Sequence, residues 1–386
     1  MRTRVLSLFA AGMLLAACGD DKSSTPSNND TTPPAAISDL ACADSVGDQI
    51  VLTWTATGND GEVGQAAGYD LRFAYEPITE ANWASAIAIS ATPVPPENSG
   101  ESEEAVTNDI TWWERTYFAI KARDSAGNWS ALSNLATAVP QPDANLRLLV
   151  RTRNGAYMIE FDGDTSKFAT PASNLEVIGD NVYFAGGHTV TRYTKAGVLA
   201  GTITLPDTAS YLNFCALPDG RFALLDNNRD VIQFVDADGA WIGEVPMFDE
   251  PGPDLQNVDG IVVGNQLIVS ESGDGHLLAV DLSTLELSTF KDLSTLSGWL
   301  GDIDYYRGEF YLTQYNSVRH FTADGEPQLI ATLDVSNIVG IAVAGGHSFV
   351  AVNFGNAIYR VNNRTGEFAP LATGLNYPQD IELLRL

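Results

Sequence analysis

Hydrophobic and polar positions along this chain follow two rhythms. The first is a single apolar run, Val5 to Ala17, that stands behind Arg2 and Arg4 and ends on Leu15-Ala16-Ala17-Cys18. A basic start, an apolar stretch and a small-residue end make an export signal over residues 1–17. A membrane-crossing helix needs roughly 20 apolar residues, so this shorter run predicts no permanent span. Residues 18–35 carry Ser, Thr, Pro, Asn and Asp with almost nothing to bury, which predicts a disordered tether.

The second rhythm is alternation at period two. Ile50 to Thr55, Tyr69 to Phe73 and Tyr117 to Ala122 each read as a strand with one buried face, so residues 36–140 predict two packed sheets. From Leu146 onward a unit recurs: apolar strand, Gly/Asp/Asn turn, second strand, polar loop, third strand. Complete copies begin at Leu175, Phe214, Ile261, Ile303 and Ile341, at offsets of 39, 47, 42 and 38 residues. One more first strand, Asp380 to Leu384, has no partners after it. Leu146 to Arg151, Tyr157 to Phe161 and Lys167 to Ala169 are three strands lacking a first one. Pairing the two ends completes a sixth blade and removes two open sheet edges. The fold predicted is all-β, a β-sandwich followed over residues 145–386 by a six-bladed β-propeller that the C-terminal strand closes.

Particular residues add resemblances. Leu15 to Cys18 resembles the lipobox of bacterial lipoproteins, which implies that Cys18 becomes the first mature residue and is acylated. Several acyl chains anchor stably where one does not. Gly19 rather than aspartate follows the cysteine, which points to the outer membrane, on its periplasmic face or at the cell surface. Trp54 in the second strand, Tyr117 before the sixth, Pro34, Leu40 and the tail Asp124 to Ser130 resemble a fibronectin type III domain across residues 36–140. That resemblance implies a spacer or adhesive module. The third-strand ends Phe234 to Gly239 and Phe321 to Gly325, with the loop Asp226 to Arg229, resemble NHL-type propellers and the wider gluconolactonase-like group. The latter group implies a channel metal that polarises a lactone carbonyl and activates water.

Charge narrows the partners. The chain has 21 Lys and Arg against 49 Asp and Glu, net −28, and removing the leader takes two more arginines to leave −30. Such a chain repels phosphate backbones, so nucleic acid is not an expected partner. With Cys18 carrying lipid, Cys42 and Cys215 fall in different predicted domains and are expected as small buried thiols without a disulfide. The four histidines are far apart, with no zinc spacing.

In a propeller, the entries to the first strands and the loops from second to third strands share one face around the channel. The entries offer Asn213, Asp259, Asp302 and Asp380, and the loops offer His188, Asp226 and Glu271. Oxygens from Asp259, Asp302 and Asp380 suit a hard cation such as Ca2+. Asp and Asn at strand entries equally well cap turns and accept backbone N–H groups. Glu176 and Glu382, one residue inside their strands, are expected to point away from the entry positions. His188 is a candidate acid or base, and equally a solvated loop residue. The loop Gly58 to Glu62 admits calcium, although turn chemistry accounts for the same residues.

Two functions fit. The first is a membrane-anchored, cell-envelope binding or adhesion module whose propeller face takes a protein or glycan partner, with no enzymatic activity required. The alternative is a calcium-type hydrolase of lactones or related esters with its site in the channel. Three or more carboxylates converging at ligand distance favour the second.

Overall fold

The structure is a computed structural model of the 386-residue chain. It describes residues 30–386 apart from 48, 91–94, 109, 170–173, 207–212, 227–228, 248–258, 272–274, 297–298 and 336. The export signal, Cys18 and most of the tether therefore lie outside the described residues. Among the described residues no helix is long and apolar enough to cross a membrane.

The first region is a sandwich. One sheet orders Ala41–Val46, Gln49–Thr55 and Ser102–Thr107, and the other orders Ile87–Ile89, Gly68–Ala74, Thr116–Arg123 and Ala136–Ala138. Alternation drives it: Ile50, Leu52 and Trp54 from one sheet meet Leu71, Phe73, Phe118 and Ile120 from the other. Each such side chain contributes about 1.5 to 3 kcal/mol by leaving water. Trp54 packs edge-on to Tyr69 at 5.3 Å. Tyr117 is half-buried in a satellite cluster with Ile78 and Ala86. The hydroxyl that bonds back into the loop before the Thr116–Arg123 strand is instead Tyr75's, 2.9 Å from Thr111 Oγ1. The sandwich also begins earlier than the composition of residues 18–35 predicts. Gly61 N donates to Pro33 O, Ala35 N donates to Gly61 O, and Pro34 bridges Gly61.

Six four-stranded antiparallel sheets follow, arranged as the blades of a closed propeller. The innermost strands of blades 2 to 6 are Asn174–Ile178, Asn213–Ala216, Asp259–Val263, Leu300–Tyr306 and Ile338–Ala344. Blade 1 takes its innermost strand from Pro378–Arg385, which pairs with Leu146–Thr152 in the register Asp380 to Arg151 and Ile381 to Val150. Ring closure by the C-terminal strand thus stands as the strand count requires.

Period-two alternation also explains why the middle strands are apolar throughout. In Phe222–Asp226, Phe222 and Leu224 face the seam with blade 2, while Ala223 and Leu225 face the seam with blade 4. Every seam of the ring has its own apolar cluster built in this way.

The sandwich docks on the turns between inner and second strands, opposite the channel end that carries the strand entries. Trp112 enters the cluster between blades 6 and 1, and its backbone N–H donates to Gly345 O at 3.0 Å. Gly345 has φ 53°, and a Cβ there would sit 1.9 Å from the Trp112 ring, so only glycine permits this approach. Glu114 pairs with Arg364, Asp143 pairs with Arg385, and Arg364 covers Tyr75 at 4.2 Å.

Candidate functional site

At the end of the channel remote from the docked sandwich lies a cavity of about 390 Å³. Its lining includes Asn213, Asp259, Asp302 and Asp380 from the inner-strand entries, so the structure brings these four expected residues together. The other three lie elsewhere. Asp226 is fully buried at the end of its strand, where it accepts from Arg229 N at 3.2 Å and from Gln233 Nε2 at 3.4 Å. Glu271 is likewise fully buried. His188 is exposed, with Nδ1 3.3 Å from Pro206 O.

What the entry acids do follows from their hydrogen bonds. Asp302 Oδ1 accepts from Ile303 N at 2.8 Å, and Oδ2 accepts from Ile341 N of the next blade at 2.6 Å. Asp380 repeats the pattern on Ile381 N at 2.8 Å and on Leu175 N of blade 2 at 3.1 Å. Asp304, one period further along blade 5, accepts from Tyr305 N and from Val343 N of blade 6, both at 2.6 Å. Asn213 Nδ2 donates to Asp259 Oδ1 at 2.6 Å, linking blades 3 and 4. These carboxylates are clamps between neighbouring inner strands, and each satisfies backbone donors that would otherwise be buried unpaired.

The cation test comes out against a tight shell. Among the described residues, the acidic group whose ligand atoms lie within 4.8 Å of one another is Asp30, Asp60 and Asp124 in the sandwich, not the channel trio. In the Asp60 loop, turn bonds run from Gly58 N to Gly61 O and from Val63 N to Asp60 O. Asp124 in turn accepts from both the backbone and side-chain nitrogens of Asn128 at 2.8 Å.

A second cavity, of about 330 Å³, continues the channel past Asp259 and Asp302. Here Glu176 and Glu382 join the lining, with Asp304 and Cys215. Their orientation corrects the sequence expectation: Glu176 follows Asn174 by two positions and Glu382 follows Asp380 by two, and residues two apart share one face of a strand. All these acids meet water only inside a narrow tube. Burial therefore pushes Glu176, Asp259, Asp302 and Glu382 upward, and neighbouring carboxylates push Glu176, Asp302 and Glu382 further. Burial raises Asp304 and Asp380 to about 6, although Arg151 pulls Asp380 back. Asp259 and Asp302 border both cavities. Cys215 is a free, buried thiol raised by desolvation, with Sγ 3.3 Å from Gly260 O, and Cys42 is free and half-buried.

Several functional candidates carry no periodic signal. Arg151, Trp299, Asn337, Tyr377 and Gln379 line the outer cavity with Asn174 and Asn353. Arg151 stands opposite Asp380 in the closing strand pair, so the register prediction contained its place although its residue type did not mark it. Its Nη1 donates to Gln379 Oε1 at 2.9 Å. Around the same mouth Trp299, Tyr315 and Phe354 are 58 %, 56 % and 65 % exposed.

No protein-family model matches the chain. It is 33 % identical over 112 residues to calcium-activated chloride channel regulator 3A-1 of Mus musculus, and 29 % identical over 119 residues to regulator 2 of that species. These matches cover 28 % and 27 % of this chain, and the chain spans 12 % of the length of each relative. Among solved structures, a chain of a nidogen/laminin complex superposes with TM-score 0.50 at 12 % identity, over 62 % of this chain and 98 % of that one. A protein of unknown function from Bacteroides thetaiotaomicron gives TM-score 0.47 at 13 % identity over 92 % of this chain and 94 % of its own. Virginiamycin B lyase from Staphylococcus aureus gives 0.43 at 15 % identity over 61 % and 78 %. At such identities the likeness is one of fold: this chain is an all-β protein with a propeller.

Proposed function

We propose that this protein is a cell-envelope lipoprotein that works as a binding module. In this reading Cys18 carries the lipid, and a fibronectin type III-like sandwich holds the propeller. The channel mouth, remote from the sandwich, meets the partner. The observation that carries the reading is the state of the channel carboxylates. Both oxygens of Asp302 and of Asp380 already accept backbone N–H groups of two adjoining inner strands, which leaves the mouth with amides, one arginine and exposed aromatic rings. Hydrolysis needs a metal or an acid–base pair aimed at substrate. Binding needs only shape, polar groups and apolar area.

The test compares the wild-type chain with Trp299→Ala for retention on isolated envelope fractions, alongside metal analysis and a lactone and phosphoester turnover screen. Retention that falls in the variant, with no turnover, supports the module. Turnover abolished by Asp302→Ala, in a variant that keeps its circular dichroism spectrum, establishes the hydrolase instead. Anchoring is checked separately: palmitate labelling should be present in the wild type and absent from Cys18→Ser.

A further inference from the structure

Among the described residues, the exposed aromatic rings at the mouth gather in one sector, the tops of blades 5, 6 and 1. Trp299 and Tyr315 are held side by side, since Tyr315 N donates to Trp299 O at 3.2 Å and Tyr315 O accepts from Ile338 N at 2.9 Å. Phe354 and Tyr377 meet edge to face at 5.6 Å, and the Arg153 guanidinium covers Tyr377 at 4.6 Å. Between the pairs, Asn337 Nδ2 donates to Asn353 Oδ1 at 3.1 Å, and Phe354 N donates to the same oxygen at 2.7 Å. Asn353 is buried, so its carboxamide is fixed before any ligand arrives.

The backbone of this sector is unusual. Tyr315, Asn337, Asn356 and Tyr377 have φ of 54°, 64°, 49° and 55°, in the left-handed region. Asparagine visits it readily, but a tyrosine does so at a cost that glycine would avoid. Two tyrosines stand where the fold alone would favour glycine, which directs attention to their rings. Folding gives no reason, either, for three large apolar rings to gather in water around one cavity.

Charge and size select the ligand. The aspartates of the cavity are engaged by backbone amides, and Arg151 faces Asp380, so the wall acids are already occupied within the fold. A chain of net charge −28 repels anions. The cavity of about 390 Å³ falls in the range of small-ligand sites. What remains is a lining of carboxamide donors and acceptors beside flat apolar rings. That combination matches a molecule with hydroxyls around its edge and C–H groups on its faces.

We propose that the rim over blades 5, 6 and 1 binds an uncharged saccharide, with sugar rings stacked on Trp299 and Phe354 and hydroxyls bonded to Asn337 and Asn353. This rests on the binding-module reading and gives it a ligand class. The probes are neutral hexasaccharides of glucose, xylose, mannose and N-acetylglucosamine, titrated calorimetrically into the full chain in detergent. At least one is expected to bind, with affinity falling tenfold or more in Trp299→Ala and in Asn337→Ala while the melting temperature of Trp299→Ala stays that of the wild type. Binding confined to polyanionic sugars overturns the inference, as does binding that survives the Trp299→Ala, Phe354→Ala double variant. A parallel arm immobilises the wild type and the double variant against an envelope protein extract. Rim-dependent capture of a protein with no saccharide binding overturns the saccharide but keeps the module, and absence of both overturns the two together.

Discussion

Asp302 and Trp299 line one cavity three positions apart in the chain, and they are treated in opposite ways. Asp302 is buried with both oxygens committed to backbone donors on two blades, whereas Trp299 is more than half exposed. The same contrast runs around the mouth: the wall of inner-strand acids holds the blades to each other, and the rim of loop aromatics keeps most of its ring surface in water. A residue type that suggests chemistry can therefore be structural, and a residue type that suggests a core can stand in water.

Substitutions can break this contrast, and Asp380→Ala should do most damage. It deprives Leu175 N and Ile381 N of their acceptor and leaves the half-buried Arg151 without its facing charge. Two backbone donors left unpaired, at about 1 to 3 kcal/mol each, together with the lost attraction to Arg151 place the cost at about 3 to 5 kcal/mol, which urea denaturation would read as a lower midpoint. Asp302→Ala should follow at about 2 to 4 kcal/mol, since two buried N–H groups lose their acceptor.

Acidity should come third. Asp304 and Asp380 sit at about 6 in the folded chain against 3.8 unperturbed, so between these values the native state holds protons that the unfolded state has released. Their contribution is complete below about pH 4 and is lost as pH rises through about 6, by on the order of 1 to 3 kcal/mol for each acid. Melting temperature should thus fall from pH 4.5 to pH 7.5 at constant ionic strength, and a rise would show that the wall acids are neutralised otherwise. Smallest of all, Phe354→Ala should change stability by less than about 0.5 kcal/mol, because the ring is mostly in water. A loss of 2 kcal/mol there would erase the distinction between rim and wall.

Strand arithmetic made most of the fold legible. A leftover first strand near Ile381 and a blade lacking one near Leu149 could be matched by counting, because every blade repeats the same alternation. The wall was half legible. Asp259, Asp302 and Asp380 recur at equivalent entries, but whether an entry acid faces a cation or a neighbour's amide depends on the distance between blades. Glu176 and Glu382 were misplaced when position was counted from the strand end, while the face is set by parity with Asn174 and Asp380. The rim was legible in position only, since the repeat puts Tyr315 and Phe354 in second-to-third-strand loops of the channel face. Trp299, Tyr315, Phe354 and Tyr377 occupy loops, where no periodicity constrains residue type, and nothing in one sequence marks three blades of six as a sector.

The strand Pro378–Arg385 follows every other strand in the chain, yet it supplies the innermost layer of the first blade. Arg151 and Gln379, bonded across that closure, are 228 positions apart. A chain that is delivered N-terminus first presents Leu146–Thr152 well before its partner arrives. For that interval five blades can assemble while the first shows a bare strand edge, open to the terminal strand of another copy. The order of the strands along the chain therefore leaves one edge of the ring for the last strand to close.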